Sequence, residues 1–394
     1  MRLHQLIGSP SKEVDFLRLT WLDLIFRSSY QIGKTPLLPI FAASLGASDV
    51  FLGLIVSVST LTGIVLKPIV GYLSDRTGRK PWLYVSAAVF ILMPFSYSLV
   101  DSPNSLLVVR LVHGLATAIL GPVSLAYIAD ANYKNLAQRF AWFGVAREVG
   151  YVLGPAIAGF LLLFFSPEVV FMCIGALSLL ALWPLVMLAE PERTSYNSRG
   201  YVAAFRRVGA RASVWLNGLL TALNHVLLYA LKTFLPIYAL AAGLNIAVVG
   251  LFFSIQEASD ILLRPFLGVI ADRFGYLLSL AIGMLLLALM VMLAVLQQQQ
   301  ITLLATAIGI GAAQALIFPA LLALVAQDVD SEHKALGLGV VGALSNSGKV
   351  LGPLLAGWGI SQLGYQTSFV LLASILFLLG LSIMLFRPTQ RLQK

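Results

Sequence analysis

Residues 67–78 read Lys67-Pro68-Ile69-Val70-Gly71-Tyr72-Leu73-Ser74-Asp75-Arg76-Thr77-Gly78, and residues 264–275 read Arg264-Pro265-Phe266-Leu267-Gly268-Val269-Ile270-Ala271-Asp272-Arg273-Phe274-Gly275. A basic residue, a proline, two glycines and an Asp-Arg pair recur at one spacing, 197 positions apart. The same offset carries Pro39 onto Pro236 and Pro122 onto Pro319. One position further, Gly150-x-x-x-Gly154-Pro155-x-x-x-Gly159 falls on Gly348-x-x-x-Gly352-Pro353-x-x-x-Gly357. Glycine and proline govern backbone geometry, so their repetition over so long a stretch predicts two copies of one structural unit.

The material between these signposts is apolar. Of 394 residues, 59% are hydrophobic and 11% charged, against about 25% charged in an ordinary soluble domain. Mean hydropathy is +0.90. A soluble fold has no place to bury so much apolar surface, and a large soluble catalytic domain is excluded. At about 20 residues per span, the apolar runs give twelve candidate helices. They cover 16–43, 49–74, 81–100, 105–129, 138–164, 168–189, 213–241, 246–271, 277–296, 301–326, 335–361 and 366–386. The fold predicted is all-α and membrane-embedded, with two pseudo-symmetric six-helix bundles over 1–190 and 213–394. A polar linker, 191–212, separates them, and a substrate path is expected between them near the midplane.

Charge gives the sidedness. Eighteen of the 26 Lys and Arg lie at the termini or in alternate loops, while loops 44–48, 101–104, 165–167, 242–245, 297–300 and 362–365 have none. By the positive-inside rule the basic loops and both termini are cytoplasmic. The net charge of +9 is thereby read as topology, not as a nucleic-acid surface. Met1–Asp15 is polar and lacks the apolar core of a cleavable signal, and the single cysteine, Cys173, forms no intrachain disulfide.

The stretch Gly71-Tyr-Leu-Ser-Asp75-Arg76-Thr-Gly78-Arg79-Lys80 resembles the signature between spans two and three of the major facilitator superfamily. Arg110-x-x-x-Gly114 resembles a second signature in span four. Gly150-Tyr-Val-Leu-Gly154-Pro155-Ala-Ile-Ala-Gly159 resembles a third, associated with exporters that exchange substrate for protons, with Ala158 where a glycine is usual. Ala129-Asp130 through Arg139 is similar to the loop before span five of twelve-span drug:proton antiporters. The resemblance covers nearly the whole chain. It implies that Gly71, Asp75, Arg76, Gly78, Arg79, Lys80 and Asp130 form a latch that holds the outward-facing state, with Asp272 and Arg273 in a second copy. That copy has Tyr276 and Leu277 at the places of Arg79 and Lys80 and is expected to be weaker. The alternative is a plain basic anchor. Gly150, Gly154, Pro155, Gly159, Gly348, Gly352 and Pro353 fit close helix packing, and the two prolines loosen the helix one turn back.

Ionisable residues inside spans are costly and mark pathways. Six are basic (Arg27, Lys34, Arg110, Arg147, Lys232, Lys349) and four acidic (Asp23, Glu148, Glu257, Asp260). All ten fall on spans that, by the resemblance, line or flank the cavity. Asp23 and Arg27 are spaced to pair along one helix, and a mutual lock between them is expected. Glu257 and Asp260 share a helix face, so their repulsion is expected to leave one holding its proton near neutral pH. Lys67 and Arg264 sit nearer the basic-loop ends and are expected to snorkel to the membrane boundary. Asp23, Glu148, Glu257 and Asp260 are the proton-coupling candidates, with Glu148 and Glu257 preferred. Arg27, Lys34, Arg110, Arg147, Lys232 and Lys349, with Tyr30, His113, His225, Gln314 and Asn346, are the substrate-binding candidates; Gln31, Asn217, Asn224 and Tyr229 are further polar contacts.

No phosphate-binding loop, metal-ligand spacing or nucleophile motif occurs, so no enzyme, metal or cofactor is expected and the proton gradient supplies the energy. The excess of cavity cations favours an anionic or zwitterionic cargo. The expected function is a proton-coupled exporter of small amphiphilic molecules, drug-like or organic anionic and zwitterionic, acting as a monomer in a bacterial cytoplasmic membrane with protons and lipid as its other partners. The alternatives are an organic-anion:proton symporter and a flippase for an anionic lipid or lysolipid.

Overall fold

The computed structural model describes residues 10–131, 133, 135–191, 208–296, 299–328 and 334–386. Most of the expected linker and the basic C-terminal tail lie outside these residues. The chain divides into two compact units, Met1–Asn197 and Ser198–Lys394.

The first unit holds α1 (Pro10–Lys34), α2 (Leu37–Ser44), α3 (Asp49–Thr77), α4 (Lys80–Ser96, continued by a 3-10 turn), α5 (Pro103–Asp130), α6 (Leu136–Leu161), α7 (Pro167–Leu179) and α8 (Leu182–Met187). The second holds α9 (Ala212–Ala241), α10 (Ile246–Phe274), α11 (Tyr276–Leu296), α12 (Gln300–Asp328), α13 (Lys334–Leu363) and α14 (Tyr365–Phe386). Pairing α1 with α2 and α7 with α8 gives six spans in each unit. Nine described spans are long and apolar enough to cross a membrane on those grounds alone. The other three contain α1, α6 and α13, which carry Asp23 and Arg27, Arg147 and Glu148, and Lys349.

Two spans are not the continuous helices expected. Span one breaks between Lys34 and Leu37, because Pro36 lacks an amide hydrogen and disfavours helical geometry at Thr35. The equivalent position in the second unit is Thr233, and α9 runs through it unbroken. Span six turns at Leu180–Ala181, one turn before Pro184, whose ring displaces the carbonyl four residues back.

The repeat is visible in the chain ends. Gly78 and Gly275 close α3 and α10 with φ of 99° and 95°, left-handed values that a Cβ makes unfavourable. Gly46 and Gly243, with φ of 80° and 81°, close the first span of each unit in the same way. Helix starts are fixed by side-chain caps: Ser48 Oγ accepts from the amide of Phe51, Ser102 and Ser105 form a capping box, and Asn245 accepts from the amide of Ala247.

Packing follows the repeat as well. Span one lies against span five (α1 with α6), and span seven against span eleven (α9 with α13). Spans two and four pair (α3 with α5), as do spans eight and ten (α10 with α12). A Cβ on Gly348 would stand 2.0 Å from the carbonyl oxygen of Ala222, and one on Gly352 2.4 Å from that of Val226. In the first unit a Cβ on Gly154 would stand 2.8 Å from Gln31 Cβ, and one on Gly150 3.0 Å from the Ser28 backbone. These glycines therefore act as close-approach points between helices. The first unit's core is built on Phe26, Phe90, Leu120 and Phe143. Leu92, Val108, Phe160, Trp183, Leu262 and Phe266 are exposed, as suits a surface solvated by lipid.

Candidate functional site

In the loop between spans two and three, Arg79 is the organising residue. Its guanidinium pairs with Asp75 at 2.5 Å and with Asp130 of α5 at 2.7 Å, and donates to Ser74 Oγ at 2.8 Å. The backbone amides of Arg79 and Lys80 donate to the two carboxylate oxygens of Glu190, at 2.5 and 2.8 Å. A carboxylate at a helix start is stabilised by the free amides there and by the helix dipole. Sequence reasoning missed Glu190, which sits 110 positions from the helix it caps and carries no local signature. Arg76 lies along its own helix over the Tyr72 ring, 4.4 Å from its centre. In the second copy Tyr276 donates to Asp272 at 2.8 Å, a hydroxyl-to-carboxylate bond in the place of the Asp75–Arg79 ion pair. Arg273 lies over Phe274.

A second constellation joins α1 to α6. Arg147 meets Asp23 with two parallel bonds, Nε to Oδ2 and Nη2 to Oδ1, each 3.2 Å. Arg27 Nε is 3.5 Å from Asp23 Oδ2. The expected Asp23–Arg27 lock is thus the looser half of a triad, since Arg147 meets the carboxylate fork to fork while Arg27 reaches it through Nε at the longer distance. Arg147 also lies 4.9 Å over Phe143. Glu148, next in the chain, is half-buried on α6.

Deeper in the same unit is a charged group with no carboxylate within ion-pair distance among the described residues. Arg110 is 1% exposed and donates to the hydroxyls of Tyr97 at 3.3 Å and Tyr30 at 3.4 Å. Tyr97 also bonds His113 Nδ1 at 3.1 Å and stacks on Phe171 at 3.8 Å. Tyr30 stands edge-on to His113 and lies beneath Lys34 at 5.9 Å. Tyr97 was not among the expected residues, since a tyrosine at the end of span three carries no pattern of its own.

In the second unit Lys232 of α9 pairs with Glu257 of α10 at 2.5 Å. Lys232 and Lys349 both lie over the Tyr229 ring, 5.4 and 5.7 Å from its centre. His225 Nδ1 is 2.9 Å from the Thr221 carbonyl and 3.2 Å from Ser345 Oγ, with its ring tilted against Tyr229. Asp260 pairs with Arg264, Nη2 to Oδ2 at 2.8 Å. Glu257 and Asp260, one turn apart on α10, thus each face a cation of their own as well as one another. Arg264 does not snorkel: it folds back to Asp260 and over Phe318, 4.7 Å from the ring centre. Nor does Lys67 of the first unit, which turns back along α3, away from the Thr77 end, its Nζ 3.8 Å from where a Cβ on Gly63 would stand. Gln314 and Asn346 are half-buried on α12 and α13, while Asn217 and Asn224 donate to carbonyls of their own helix. Among the described residues no group of three or more His, Cys, Asp or Glu could hold a metal ion.

The sequence profile described as Major Facilitator Superfamily matches residues 34–258 and 218–394. An uncharacterised transporter of this type from Methanocaldococcus jannaschii is 23% identical over 88% of this chain and 91% of its own length. Multidrug resistance protein 1 of Bacillus subtilis is 28% identical over 44% of the chain, and the quinolone resistance protein NorA of Staphylococcus aureus 26% over 41%. These matches span 46% and 42% of the two resistance proteins. Among solved structures, a bacterial homologue of the human lysosomal transporter Spinster superposes with a TM-score of 0.83 at 17% identity, covering 96% of this chain and 97% of the other. A variant of the nucleoside transporter NupG gives 0.81 at 16% identity, covering 95% and 100%. At such identities the structures speak for the fold alone.

Proposed function

The chain belongs to the Major Facilitator Superfamily and is a multi-pass membrane transporter, not an enzyme; from that premise we propose that it is a proton-coupled exporter of small amphiphilic zwitterions. It works by alternating access in a bacterial cytoplasmic membrane, with the basic loops on the cytoplasmic side. The observation that carries this reading is the Lys232–Glu257 pair inside the spans of the second unit. A glutamate inside a membrane stays ionised only while a cation faces it. Two events can displace Lys232: a proton on Glu257, or a cationic group of the cargo. Because proton and ammonium then exclude one another on Glu257, a zwitterion bound from the cytoplasm leaves when a proton arrives from outside. That exclusion is antiport. The resistance proteins among the relatives support export, and the span-five glycines agree with it.

The same pair favours one other reading. A proton on Glu257 frees Lys232 for a carboxylate, and a purely anionic cargo would then travel with the proton as symport. Reconstitution in proteoliposomes with an imposed pH gradient separates the two. Antiport is upheld if cargo addition drives proton movement opposite to cargo, and if Glu257→Gln removes that movement while the protein remains folded. Proton movement in the same direction as cargo establishes symport. Cargo movement indifferent to the gradient overturns both.

A further inference from the structure

Arg110 and His113 stand three residues apart on α5 and are buried together, 1% and 3% exposed. Residues at that spacing share a helix face, and here both side chains meet the same two tyrosines. Tyr97 Oη lies 3.3 Å from Arg110 Nη1 and 3.1 Å from His113 Nδ1. The Tyr30 hydroxyl accepts from Arg110 Nη2 at 3.4 Å, and its ring stands edge-on to His113, 5.6 Å between centres. Phe90, buried as well, packs edge-on against the His113 ring from α4.

The hydrogens along this chain of contacts follow from what each group can do. A guanidinium only donates, so Tyr97 Oη accepts from Arg110. The hydroxyl's own hydrogen goes to its one other described partner, His113 Nδ1, and the imidazole hydrogen is then on Nε2. Among the described residues nothing bonds His113 Nε2, and nothing bonds Arg110 Nε, although both atoms are sealed from solvent. Arg110 Nε lies on the same edge of the guanidinium as Nη2, the edge turned to Tyr30. The two bonds Arg110 does make, at 3.3 and 3.4 Å, are longer than the roughly 2.7–3.2 Å of an ordinary N–H···O bond.

This centre therefore holds one positive charge and two N–H groups that no described residue accepts from, inside a membrane-spanning helix. Bare donors and bare charges are both costly there. A water would accept these bonds but would bring two hydrogens of its own and no charge. A halide only accepts, takes several donors at once and carries the one negative charge required. We propose that Arg110 and His113 bind a chloride ion through Nε and Nε2, beside Tyr30 and Tyr97. The site goes beyond the transporter reading, since the ion balances Arg110 whichever way cargo moves.

The experiment uses the full chain in detergent, purified with gluconate as the anion. Its melting midpoint is followed as chloride or bromide replaces gluconate at constant ionic strength. For a dissociation constant of about 10 mM, about 150 mM halide should raise the midpoint by roughly 3–6 °C. His113→Phe, which removes one donor, should weaken the halide about tenfold, and Arg110→Met should abolish its effect. Crystals of the parent chain grown in sodium bromide should show an anomalous peak beside Arg110 Nε and His113 Nε2, a result that needs no variant to fold. Equal melting in halide and gluconate, or a halide effect undiminished in either variant, would overturn the site. So would bromide peaks confined to other positions, or an ordered water at this one.

Discussion

Gly348→Ala tests whether backbone contact holds spans seven and eleven together. The added Cβ would meet the carbonyl oxygen of Ala222 at 2.0 Å, with its carbon at 2.7 Å and Cα at 2.8 Å. An ordinary contact needs roughly 3.4 Å, so α13 must retreat from α9 by more than about 1 Å, and the flanking contacts thin with it. Overpacking of this kind costs about 1–3 kcal/mol; backbone neighbours on a helix cannot swing aside, which places this case near the upper end. At about 2–4 °C per kcal/mol for a unit of this size, the melting midpoint should fall by roughly 5–10 °C. The assay is tryptophan-fluorescence melting in detergent, with Gly342→Ala on the same helix as control, since a Cβ there meets nothing within 4 Å. Melting of Gly348→Ala within about 1 °C of the parent would refute the close-approach argument.

Two further outcomes follow from the first unit. Glu190→Gln leaves the shape of the cap but removes its charge, so about 1 kcal/mol should be lost and amide exchange at Arg79 and Lys80 should quicken; unchanged exchange would show that Glu190 does not hold that turn. Arg110→Met removes a buried charge that leaves no carboxylate behind, so melting should hold or rise while transport is lost. A fall of more than about 5 °C would make Arg110 a structural residue.

The spans and their repetition were legible because they depend on composition, helix period and glycine or proline at fixed places, all local properties. The break at Pro36 was legible in principle too, since the second half has Thr233 at the corresponding place and a proline alone removes the amide there. The charged constellations were legible as residues and not as partnerships. Asp23 was assigned to Arg27 because helical spacing shows neighbours on one helix; Arg147 reaches it from a facing helix, a relation no spacing encodes. Lys67 and Arg264 were read by distance along the chain from a basic loop, whereas each turns toward groups on its own helix or a facing one. Tyr97 and Glu190 act through hydroxyl and carboxylate positions fixed only when spans pack.

Glu190 also gives the chain a mechanical property. It is the second-last described residue of the first unit, and its carboxylate grips the backbone at Arg79 and Lys80, while the neighbouring Ala189 carbonyl is held by Tyr127. A tug on the polypeptide beyond Pro191 is therefore delivered first to the turn where Arg79 clasps Asp75 and Asp130, not to the helix it emerges from. Glu190 is moored like a rope to a cleat, so that a displacement of this residue is at once a displacement of that clasp.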